Sequence, residues 1–506
     1  MSNRLTVYNL SVTFETNDFT LQGHIETFLA RFYTVKLRPI NGQGETTIRV
    51  YVGKVKNYAA WQFHSNQFIH FYHYLKDIGY TLKIDEKIDM RDYISVNTNF
   101  KVRDGWAPRE EQQSIIDFLL DNPTKSKLVP LRTGGGKTYV AMEAIGRLKK
   151  RLAIVVLARF IDKWAPDIMK IHEAELTDIL VIKGSNHLKG LIGLAQEKKL
   201  KQNYIIFSAE TLQSYLSRYE ADPVECVDEY GCSPLELFPL LGVGIMLNDE
   251  SHMSFHLLYR TVIYTNVEYQ IGLTATLITD DSVIKRMHKV IYPTNCVYGD
   301  SHIKAYMDMY PISYPMHERL RRLVKTTNFN SNTYSHTAFE NSILRYKFIL
   351  DSYCKLIKTT VDDYYIEDYM EKDKVAIFVS TVKMADELIH RLKVWYPDKQ
   401  IVRYCQDDDY DEMLEGEIIV STPGSLGTGI DVPNLRVVIQ TVCVSSTPVN
   451  LQVAGRLREL KDRDVKFCYL YCEHLGKQRD YHNKRLEIFA TRARNVLLRK
   501  SRSMLA

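Results

Sequence analysis

Between residues 125 and 300, short apolar runs alternate with stretches in which apolar residues recur at helical spacing. The runs are mostly apolar throughout, which is typical of strands that are covered on both faces. Strands that alternate with helices predict a doubly wound parallel sheet. The strands predicted here are residues 127–130, 152–157, 204–208, 243–248 and 271–274.

The same alternation returns in the second half of the chain and predicts a second α/β domain. A helix is predicted at residues 384–394, between two of its strands. The tyrosine- and charge-rich stretch between the halves predicts a linker near residues 293–300 and one long helix near residues 338–359. The strands predicted for this domain are residues 375–379, 401–404, 417–421, 436–441 and 465–471.

The two ends of the chain differ from this pattern. The first hundred residues are rich in aromatic residues and include an alternating run, which predicts a small α+β domain. Its aromatic residues fit either a small core or, with nearby lysines and arginines, a surface on which bases stack. The last thirty residues predict a basic helical tail that either packs with a solvated face or binds phosphates. The expected domains are residues 1–100, 101–300, 301–475 and 476–506.

Composition narrows the class of protein only slightly. The chain has 506 residues, a net charge of +5 and 45% hydrophobic residues, which fits a globular protein and permits a nucleic-acid partner. Its eight cysteines form no paired zinc pattern, which favours free thiols in a reducing compartment. The sequence has neither a recognisable secretory leader nor an apolar run of membrane-spanning length, so we expect a soluble, intracellular protein.

The most specific motif is a glycine-rich loop between the first predicted strand and a helical run. The backbone N–H groups of such a loop and the partial positive charge of the following helix cradle phosphates. Lys137 can reach the β- and γ-phosphates of a nucleotide, and the Thr138 hydroxyl can bind Mg²⁺. Leu131 replaces the first glycine of the usual pattern, so the strand–loop–helix setting carries the prediction. The loop residues assigned to nucleotide binding are Thr133, Gly134, Gly135, Gly136, Lys137 and Thr138.

Two carboxylates follow a later strand of the same predicted sheet. Asp249 and Glu250 come directly after residues 243–248, and parallel sheets bind ligands at the carboxyl ends of their strands. We expect Asp249 to hold Mg²⁺ and Glu250 to orient and deprotonate the attacking water. His252 is expected to sense the γ-phosphate. Taken alone, the segment fits a helix cap equally well, and the P-loop in the same sheet favours the catalytic interpretation.

Two shorter segments complete the site predicted for the first domain. Thr274 and Thr276, at the end of the strand at 271–274, are expected to link the carboxylates to the path of a nucleic acid. Arg109 and Gln112 precede the P-loop strand and are assigned to nucleotide binding. The Gln112 amide both donates and accepts, which suits the edge of adenine.

The second predicted domain contributes a glycine-rich loop and two arginines. Gly429 and Asp431 lie in the loop and are assigned to nucleotide binding. Residues 452–458 predict the opening of a helix that carries Arg456 and Arg458. An arginine placed at a triphosphate stabilises charge in the phosphoryl-transfer transition state. The alternative is a surface helix with two solvated arginines.

Taken in order, these segments resemble the motifs of superfamily 2 helicases over roughly residues 110–460. The matching segments are Gln112, residues 133–138, 158–164, 208–211, 249–252 and 274–276, Ser380 with Thr381, and residues 422–431 and 452–458. The resemblance implies two RecA-like domains in tandem, which bind ATP with Mg²⁺ in the cleft between them and hold nucleic acid mainly by its backbone phosphates. The phosphate contacts that it implies come from Arg159 or Lys163 and from Ser208, Thr211, Ser380 and Thr422, beside Thr274 and Thr276.

The segment at residues 452–458 departs from the superfamily pattern. Arg456 and Arg458 are two residues apart instead of three, and we favour Arg458 as the arginine finger with Arg456 beside the γ-phosphate.

Within the superfamily the chain looks most like the phage UvsW-type helicases, including those of T5-like phages. That resemblance implies a monomer in the cytoplasm of an infected bacterium that regresses forks and migrates Holliday junctions in branched DNA during replication, recombination and repair. The alternatives are an enzyme that unwinds RNA or RNA–DNA hybrids, and a DNA-binding clamp with weak ATPase activity.

Overall fold

The structure is a computed structural model, and the residues that it describes fold as two compact units. Described residues up to Gly299 form the first unit, and those from Ala305 onward form the second. No helix in this described part of the chain is both long and apolar enough to span a bilayer. The described residues are 4–37, 47–50, 53–54, 60–80, 95–121, 125–131, 135–249, 255–274, 282–299, 305–327, 333–405, 408–426, 432–460, 463–490 and 492–506.

The first unit begins with a small α+β domain, as the sequence predicts. Its described elements are β1 (Arg4–Val7), β2 (Ser11–Glu15), α1 (Phe19–Tyr33), β3 (Thr34–Leu37), β4 (Thr47–Val50), β5 (Gly53–Lys54), β6 (Ala60–His64) and α2 (Phe68–Asp77). Strands β1, β2, β6 and β5 form an antiparallel sheet in that order, and β3 pairs with β4. The Phe71 ring packs 5.5 Å from that of Phe14 and 5.1 Å from that of Phe28. Trp61 and Phe63 are buried with them, so these aromatic residues form a core.

The rest of the first unit alternates helices and strands. Its elements are α3 (Glu110–Leu120), β7 (Ser126–Pro130), α4 (Lys137–Leu148), β8 (Leu152–Val156), α5 (Ile161–Ile171), β9 (Ile179–Ile182), α6 (Ser185–Gln196), β10 (Tyr204–Ser208), α7 (Ala209–Ala221), α8 (Pro223–Tyr230), α9 (Pro234–Leu241), β11 (Ile245–Asn248), α10 (Phe255–Ile263), β12 (Tyr269–Thr274) and α11 (Ser282–Ile291). The strands form a parallel sheet in the order β7–β12–β11–β8–β10–β9. Strand β9 was not predicted, although its four residues are all apolar.

Helices cover both faces of this sheet, which explains why its strands are apolar throughout. Helices α3, α4 and α5 bury one face, and α6 to α11 bury the other. The small α+β domain shares the hydrophobic cluster of the second face, and the Asn66 side chain donates to the carbonyls of Val290 (3.0 Å) and Ile291 (3.1 Å) on α11. Tyr298 N–H donates to Leu128 O on β7 at 2.9 Å, so the linker predicted at residues 293–300 belongs to the first unit at least that far.

The second unit is built on a larger parallel sheet. Its elements are β13 (Met307–Tyr314), α12 (His336–Ile343), α13 (Lys347–Val361), β14 (Lys374–Phe378), α14 (Val382–Trp395), β15 (Ile401–Tyr404), α15 (Tyr410–Glu415), β16 (Ile418–Ser421), β17 (Leu435–Gln440), α16 (Thr447–Ala454), β18 (Val465–Cys472), α17 (Gly476–Phe489), β19 (Ala493–Val496) and β20 (Arg499–Lys500). The strand order is β15–β16–β14–β17–β18–β13–β19, and β20 also pairs with β13. The prediction of two RecA-like parallel-sheet domains is therefore confirmed.

Two predictions for this unit are wrong in detail, and one strand was not predicted. The single helix predicted near residues 338–359 is two helices, because the chain leaves helical geometry at Tyr346 (φ −123°, ψ 108°). The basic tail is helical only as far as Phe489, and residues 493–496 and 499–500 are strands. Strand β13 was not predicted, since Asp308, Tyr310 and Pro311 interrupt its apolar residues. The edge of β13 offers unpaired backbone groups to the end of the chain, and this non-local pairing overrides the helical spacing.

Candidate functional site

The predicted site segments of the first unit all leave the same edge of its parallel sheet. Pro130 at the end of β7 pairs with Thr274 at the end of β12, and Leu131 N–H donates to Thr274 O at 3.0 Å. Asn248 at the end of β11 pairs with Gly272 and with Val155, one residue before the end of β8. Carboxyl ends of parallel strands are where such sheets bind ligands. The P-loop, Asp249 and Thr274 therefore share one edge.

The P-loop leads directly into helix α4. Gly136 is the N-cap residue with a φ of +82°, in the left-handed region, and Lys137 is the first helical residue. Gly135, Gly136, Lys137 and Thr138 are described, whereas Thr133 and Gly134 lie outside the described residues. A twelve-residue helix directs its partial positive charge and its first backbone N–H groups at this loop. The local geometry therefore suits an anion such as a phosphate group.

Gly136 is held against Gln112, the glutamine predicted to bind the base. Gln112 is 8% exposed, its Oε1 accepts from Arg109 N–H at 3.0 Å, and its Nε2 donates to Gly135 O at 3.4 Å. A Cβ atom at position 136 would lie 2.4 Å from Gln112 Nε2. Both ends of the amide thus connect the N-terminus of α3 to the P-loop. Adenine recognition by Gln112, with Arg109 nearby, stays a prediction.

We expect Gly136→Ala to lower the free energy of unfolding by about 1–2 kcal/mol, because alanine disfavours the left-handed region and displaces Gln112. Denaturant unfolding followed by circular dichroism measures this change. Gly193→Ala is the matched control, since Gly193 lies within α6 with nothing near its missing Cβ. The control should gain about 0.5–1 kcal/mol. Equal stability of the two variants would contradict the strain assigned to Gly136.

Trp106 is a neighbour of the P-loop that sequence reasoning did not single out. Its ring stacks on Tyr139 in the first turn of α4, with centroids 5.1 Å apart and an interplanar angle of 22°. Its Nε1 donates to Lys170 O at 3.1 Å. Trp106 therefore joins the segment that carries Arg109 and Gln112 to both α4 and α5.

Asp249 lies beside a lysine that the sequence assigned to nucleic acid. Its side chain is 7% exposed, and its Oδ2 lies 3.8 Å from Lys163 Nζ on α5. Asp167 also lies on α5 and was not singled out from the sequence. Burial raises the pKa of Asp167, the nearby Lys163 lowers it, and the nearby Asp249 raises it. A phosphate contact by Lys163 remains a prediction. Glu250, His252 and Thr276 lie outside the described residues.

The described residues contain no group of three or more histidine, cysteine, aspartate or glutamate side chains arranged to hold a metal ion. Mg²⁺ at nucleotide sites is usually held by one or two carboxylates together with substrate phosphates. Asp249 follows β11 and Thr138 lies in the first turn of α4, and a carboxylate with a hydroxyl is such a sparse donor set. They fit Mg²⁺ that arrives with the nucleotide, and when bound that ion neutralises charge on the phosphates.

The predicted nucleic-acid residues of the first unit are linked by an acid that the sequence analysis missed. Glu210 accepts from Ser208 Oγ at 2.6 Å and from Ala158 N–H at 3.1 Å. Thr211 Oγ1 accepts from Gly184 N–H at 2.8 Å, and Thr274 is buried. Arg159 places its guanidinium 4.8 Å from the Phe160 ring centre. The hydroxyls of Ser208 and Thr211 therefore fix neighbouring loops, and phosphate contacts by these residues remain predictions.

In the second unit, two more predicted residues follow strand ends. Ser380 comes after β14, and its Oγ lies 2.8 Å from Thr337 Oγ1. Thr422 comes after β16, and its Oγ1 lies 2.9 Å from Ser425 Oγ and accepts from Ser425 N–H at 3.3 Å. Gly429 and Asp431 lie outside the described residues.

The segment with the two arginines closes a helix instead of opening one. Helix α16 begins after Ser446, whose side chain caps it, and ends at Ala454. Arg456 is 3% exposed and its Nε donates to Gln452 O at 3.3 Å, whereas Arg458 is half-buried and its Nη1 donates to Gly455 O at 2.6 Å. The prediction of a helix opening at 452–458 is wrong because Ser446 and Pro448 start the helix earlier, and Gly455 follows its end.

Helix α16 is held in place by a buried arginine that was also missed. Arg485 on α17 donates from Nε to Asn450 Oδ1 at 2.7 Å and from Nη2 to Val442 O. Its guanidinium carbon lies 4.7 Å from the Tyr469 ring centre. These contacts connect the last helix of the chain to the helix before Arg456.

A second buried cluster supports Ser380. Glu340 on α12 is fully buried, its Oε1 accepts from Ser380 N–H at 2.7 Å, and its Oε2 accepts from Thr381 Oγ1 at 3.1 Å. Burial raises the pKa of Glu340 to about 8, although both hydrogen bonds oppose the shift. His336 Nε2 lies 3.7 Å from Glu340 Oε1, and burial lowers the pKa of His336 to about 3. Both side chains are therefore neutral at pH 7.

We expect Glu340→Gln to remove part of the fall in unfolding free energy that the wild-type protein shows as the pH rises. An unfolded glutamate ionises near pH 4.3, whereas the folded one stays protonated up to about pH 8, so the stability of the native chain falls across that window. The glutamine variant lacks this loss. Its unfolding free energy relative to wild type should rise between pH 5 and 8 and level off above. A constant difference across urea unfolding curves from pH 5 to 9 would contradict the raised pKa.

Comparison with known proteins supports a helicase-type domain. Residues 106–279 match the family "Type III restriction enzyme, res subunit". The helicase/translocase subunit XPB2 of the general transcription and DNA repair factor IIH of Arabidopsis thaliana is 24% identical over 212 residues, which are 41% of this chain and 26% of that protein. The chain thus matches about a quarter of the length of this relative. The resemblance to superfamily 2 helicases is confirmed over residues 106–279.

Solved structures support the fold. A fragment of a putative HsdR subunit of a type I restriction enzyme from Vibrio vulnificus YJ016 has a TM-score of 0.50 at 16% identity, covering 85% of this chain and 73% of that one. The crystal structure of T4 UvsW covers 100% of both chains at 14% identity with a TM-score of 0.35. Because this TM-score is low, the narrower resemblance to UvsW-type helicases stays a prediction.

Proposed function

We propose that the protein is an ATP-dependent DNA translocase or helicase of superfamily 2 that remodels branched DNA. One observation carries the proposal: the P-loop, Asp249 and Thr274 leave one edge of a parallel sheet, next to the strand ends that bear Ala158 and Ser208. Groups suited to a nucleotide and groups suited to a nucleic acid therefore leave adjacent strands of one rigid sheet. Such an arrangement suits an ATPase whose turnover responds to nucleic acid.

The nucleotide part of the proposal assigns one role to each group. Lys137 binds the β- and γ-phosphates, and Thr138 with Asp249 holds Mg²⁺. Glu250 orients and deprotonates the attacking water, and Arg458 stabilises the charge that develops in the transition state. The glycine N-cap and the helix that follows support the role of Lys137, and the position of Asp249 directly after β11, at the same edge of the sheet, supports its role at Mg²⁺.

DNA is the proposed substrate in preference to RNA. A relative that matches part of this chain is a helicase/translocase subunit of a factor named for transcription and DNA repair. Backbone phosphates are the proposed contacts, because hydroxyl and basic side chains hold phosphates without reading sequence. We further propose that the protein acts on forks and four-way junctions, and the experiment below tests this action first.

The experiment compares ATPase stimulation by forked, four-way, linear and single-stranded DNA with that by RNA and RNA–DNA hybrid duplexes of matched sequence. We expect the largest stimulation with forked and four-way DNA, together with ATP-dependent strand rearrangement on gels. Stronger stimulation by RNA or hybrid would favour an RNA- or hybrid-unwinding enzyme. Binding of DNA without any stimulation would favour a clamp with weak ATPase activity. The full chain is used, because the first 80 residues share a hydrophobic cluster with the first α/β sheet.

A further inference from the structure

Two hydroxyl groups from distant parts of the sequence meet at the surface of the second unit. Thr337 lies in the first turn of α12, and Ser380 lies just after β14. Their oxygen atoms are 2.8 Å apart, Thr337 is exposed, and Ser380 is half-buried. Sequence reasoning singled out Ser380 and not Thr337, because the pairing depends on how α12 packs in three dimensions.

Helix α12, which carries Thr337, also holds the loop that carries Ser380 in place. Glu340, one turn further along α12, accepts from Ser380 N–H and from the Thr381 hydroxyl. Thr381 in turn caps α14 by accepting from Met384 N–H at 3.2 Å. Fully burying a carboxyl group costs free energy unless it is hydrogen-bonded. Here the hydrogen bonds of Glu340 hold the loop that carries Ser380 in one orientation.

The orientation of α12 is itself determined by a further buried residue. His336 Nδ1 accepts from Cys443 N–H at 3.2 Å and lies 2.9 Å from the Tyr334 hydroxyl. Cys443 follows β17 in the centre of the sheet. Thr337 is therefore held between the sheet, through His336, and the Ser380 loop, through Glu340.

We propose that Thr337 is a further contact to the nucleic-acid backbone, that it acts together with Ser380, and that Glu340 is the positioning residue for both. In a hydroxyl pair one group donates to the other, so one O–H remains to be donated outward. Phosphate oxygens accept from serine and threonine hydroxyls, and such contacts carry no sequence information. The exposed Lys383, in the first turn of α14, adds a positive charge to the same loop. This inference rests on the proposed function, since it needs a nucleic acid at Ser380.

The test measures the DNA concentration that half-maximally stimulates ATP turnover. Thr337→Val removes the hydroxyl with little change of shape and is expected to raise that concentration about tenfold, the effect of one hydrogen bond to a charged group. Thr337→Ser restores the hydroxyl and should return the value to within about twofold of wild type.

Thr359→Val is the matched control. Thr359 is also a helical threonine paired with a serine, with its Oγ1 3.1 Å from Ser503 Oγ, but it lies on α13 away from the Ser380 loop. An unchanged half-stimulating concentration in Thr337→Val would overturn the proposal. So would equal weakening in Thr337→Ser or in Thr359→Val, because the effect would then not come from the hydroxyl at position 337.

Glu340 is tested as a positioning residue by two substitutions. Glu340→Gln keeps an acceptor for Ser380 N–H and should keep the DNA dependence, whereas Glu340→Met should raise the half-stimulating concentration as Thr337→Val does. Circular dichroism reports whether the methionine variant folds, and the threonine variants test the contact independently of it. Wild-type DNA dependence in a folded Glu340→Met variant would overturn the positioning role. Absence of DNA stimulation in the wild-type chain would instead overturn the proposed function.

Discussion

Lys137→Ala is expected to reduce ATP turnover by about 10²–10³-fold at saturating ATP, while the fold remains intact. Lys137 is the first residue of α4, directly after the left-handed Gly136, so its ammonium group starts from the point where the loop meets the helix. A lysine there binds the β- and γ-phosphates and offsets the charge that they gain in the transition state. Alanine is a strong helix former, so the helix itself should tolerate the change.

Lys149→Ala is the matched control, because Lys149 is an exposed lysine at the opposite end of the same helix. Steady-state ATPase assays in the presence of DNA measure turnover, and thermal unfolding reports the fold of both variants. Near-normal turnover in Lys137→Ala, with Lys149→Ala equal to wild type, would remove the P-loop assignment and with it the ATP-dependent part of the proposed function.

The parts of the fold that sequence predicted are those determined by local burial. Strands β8, β10, β11 and β12 are buried along nearly their whole length because helices cover both faces of the sheet, so each is visible as a mostly apolar run. The P-loop could be predicted for a related reason, since its glycines and its lysine are neighbours in sequence. Local rules suffice where the partners of a residue are its neighbours in sequence.

Non-local pairing explains the failures. Strands β19 and β20 have the composition of a basic amphipathic helix and become strands only because β13 offers them a free edge. Arg494 lies in the tail for which the sequence left packing and phosphate binding open, and it donates to both carboxylate oxygens of Asp308, at 3.0 and 2.7 Å. No periodicity in either segment encodes that partner.

The candidate site shows the same division. Lys137, Thr138 and Asp249 could be proposed from the sequence because the roles predicted for them depend on position relative to a strand end. The sequence analysis missed three anchoring residues, Glu210, Glu340 and Arg485. Each of them hydrogen-bonds to a loop or helix that is distant in sequence. A buried polar residue can be recognised as an anchor only once its partners are known.

Arg458→Ala is expected to lower ATP turnover by about 10³-fold with little change in stability, as removal of an arginine finger does. Its side chain is half-buried and its described hydrogen bonds go to the carbonyls of Gly455, at 2.6 Å, and Leu457, at 3.3 Å. Arg456 differs, because it is buried and donates to Gln452 O in the last turn of α16. Arg456→Ala should therefore also lower the unfolding free energy, by about 1–3 kcal/mol, through the polar groups that it leaves unpaired.

Arg499→Ala is the matched control for Arg458, since Arg499 is exposed and likewise donates to the carbonyl of the preceding residue, Leu498, at 3.4 Å. Single-turnover ATPase assays separate the chemical step from nucleotide binding, and urea unfolding measures stability. A loss of turnover in Arg456→Ala without loss of stability, beside normal turnover in Arg458→Ala, would exchange the roles of the two arginines. Normal turnover in both variants would mean that this segment contributes no arginine to the transition state, and the resemblance to superfamily 2 would then not extend to the chemistry of the second unit.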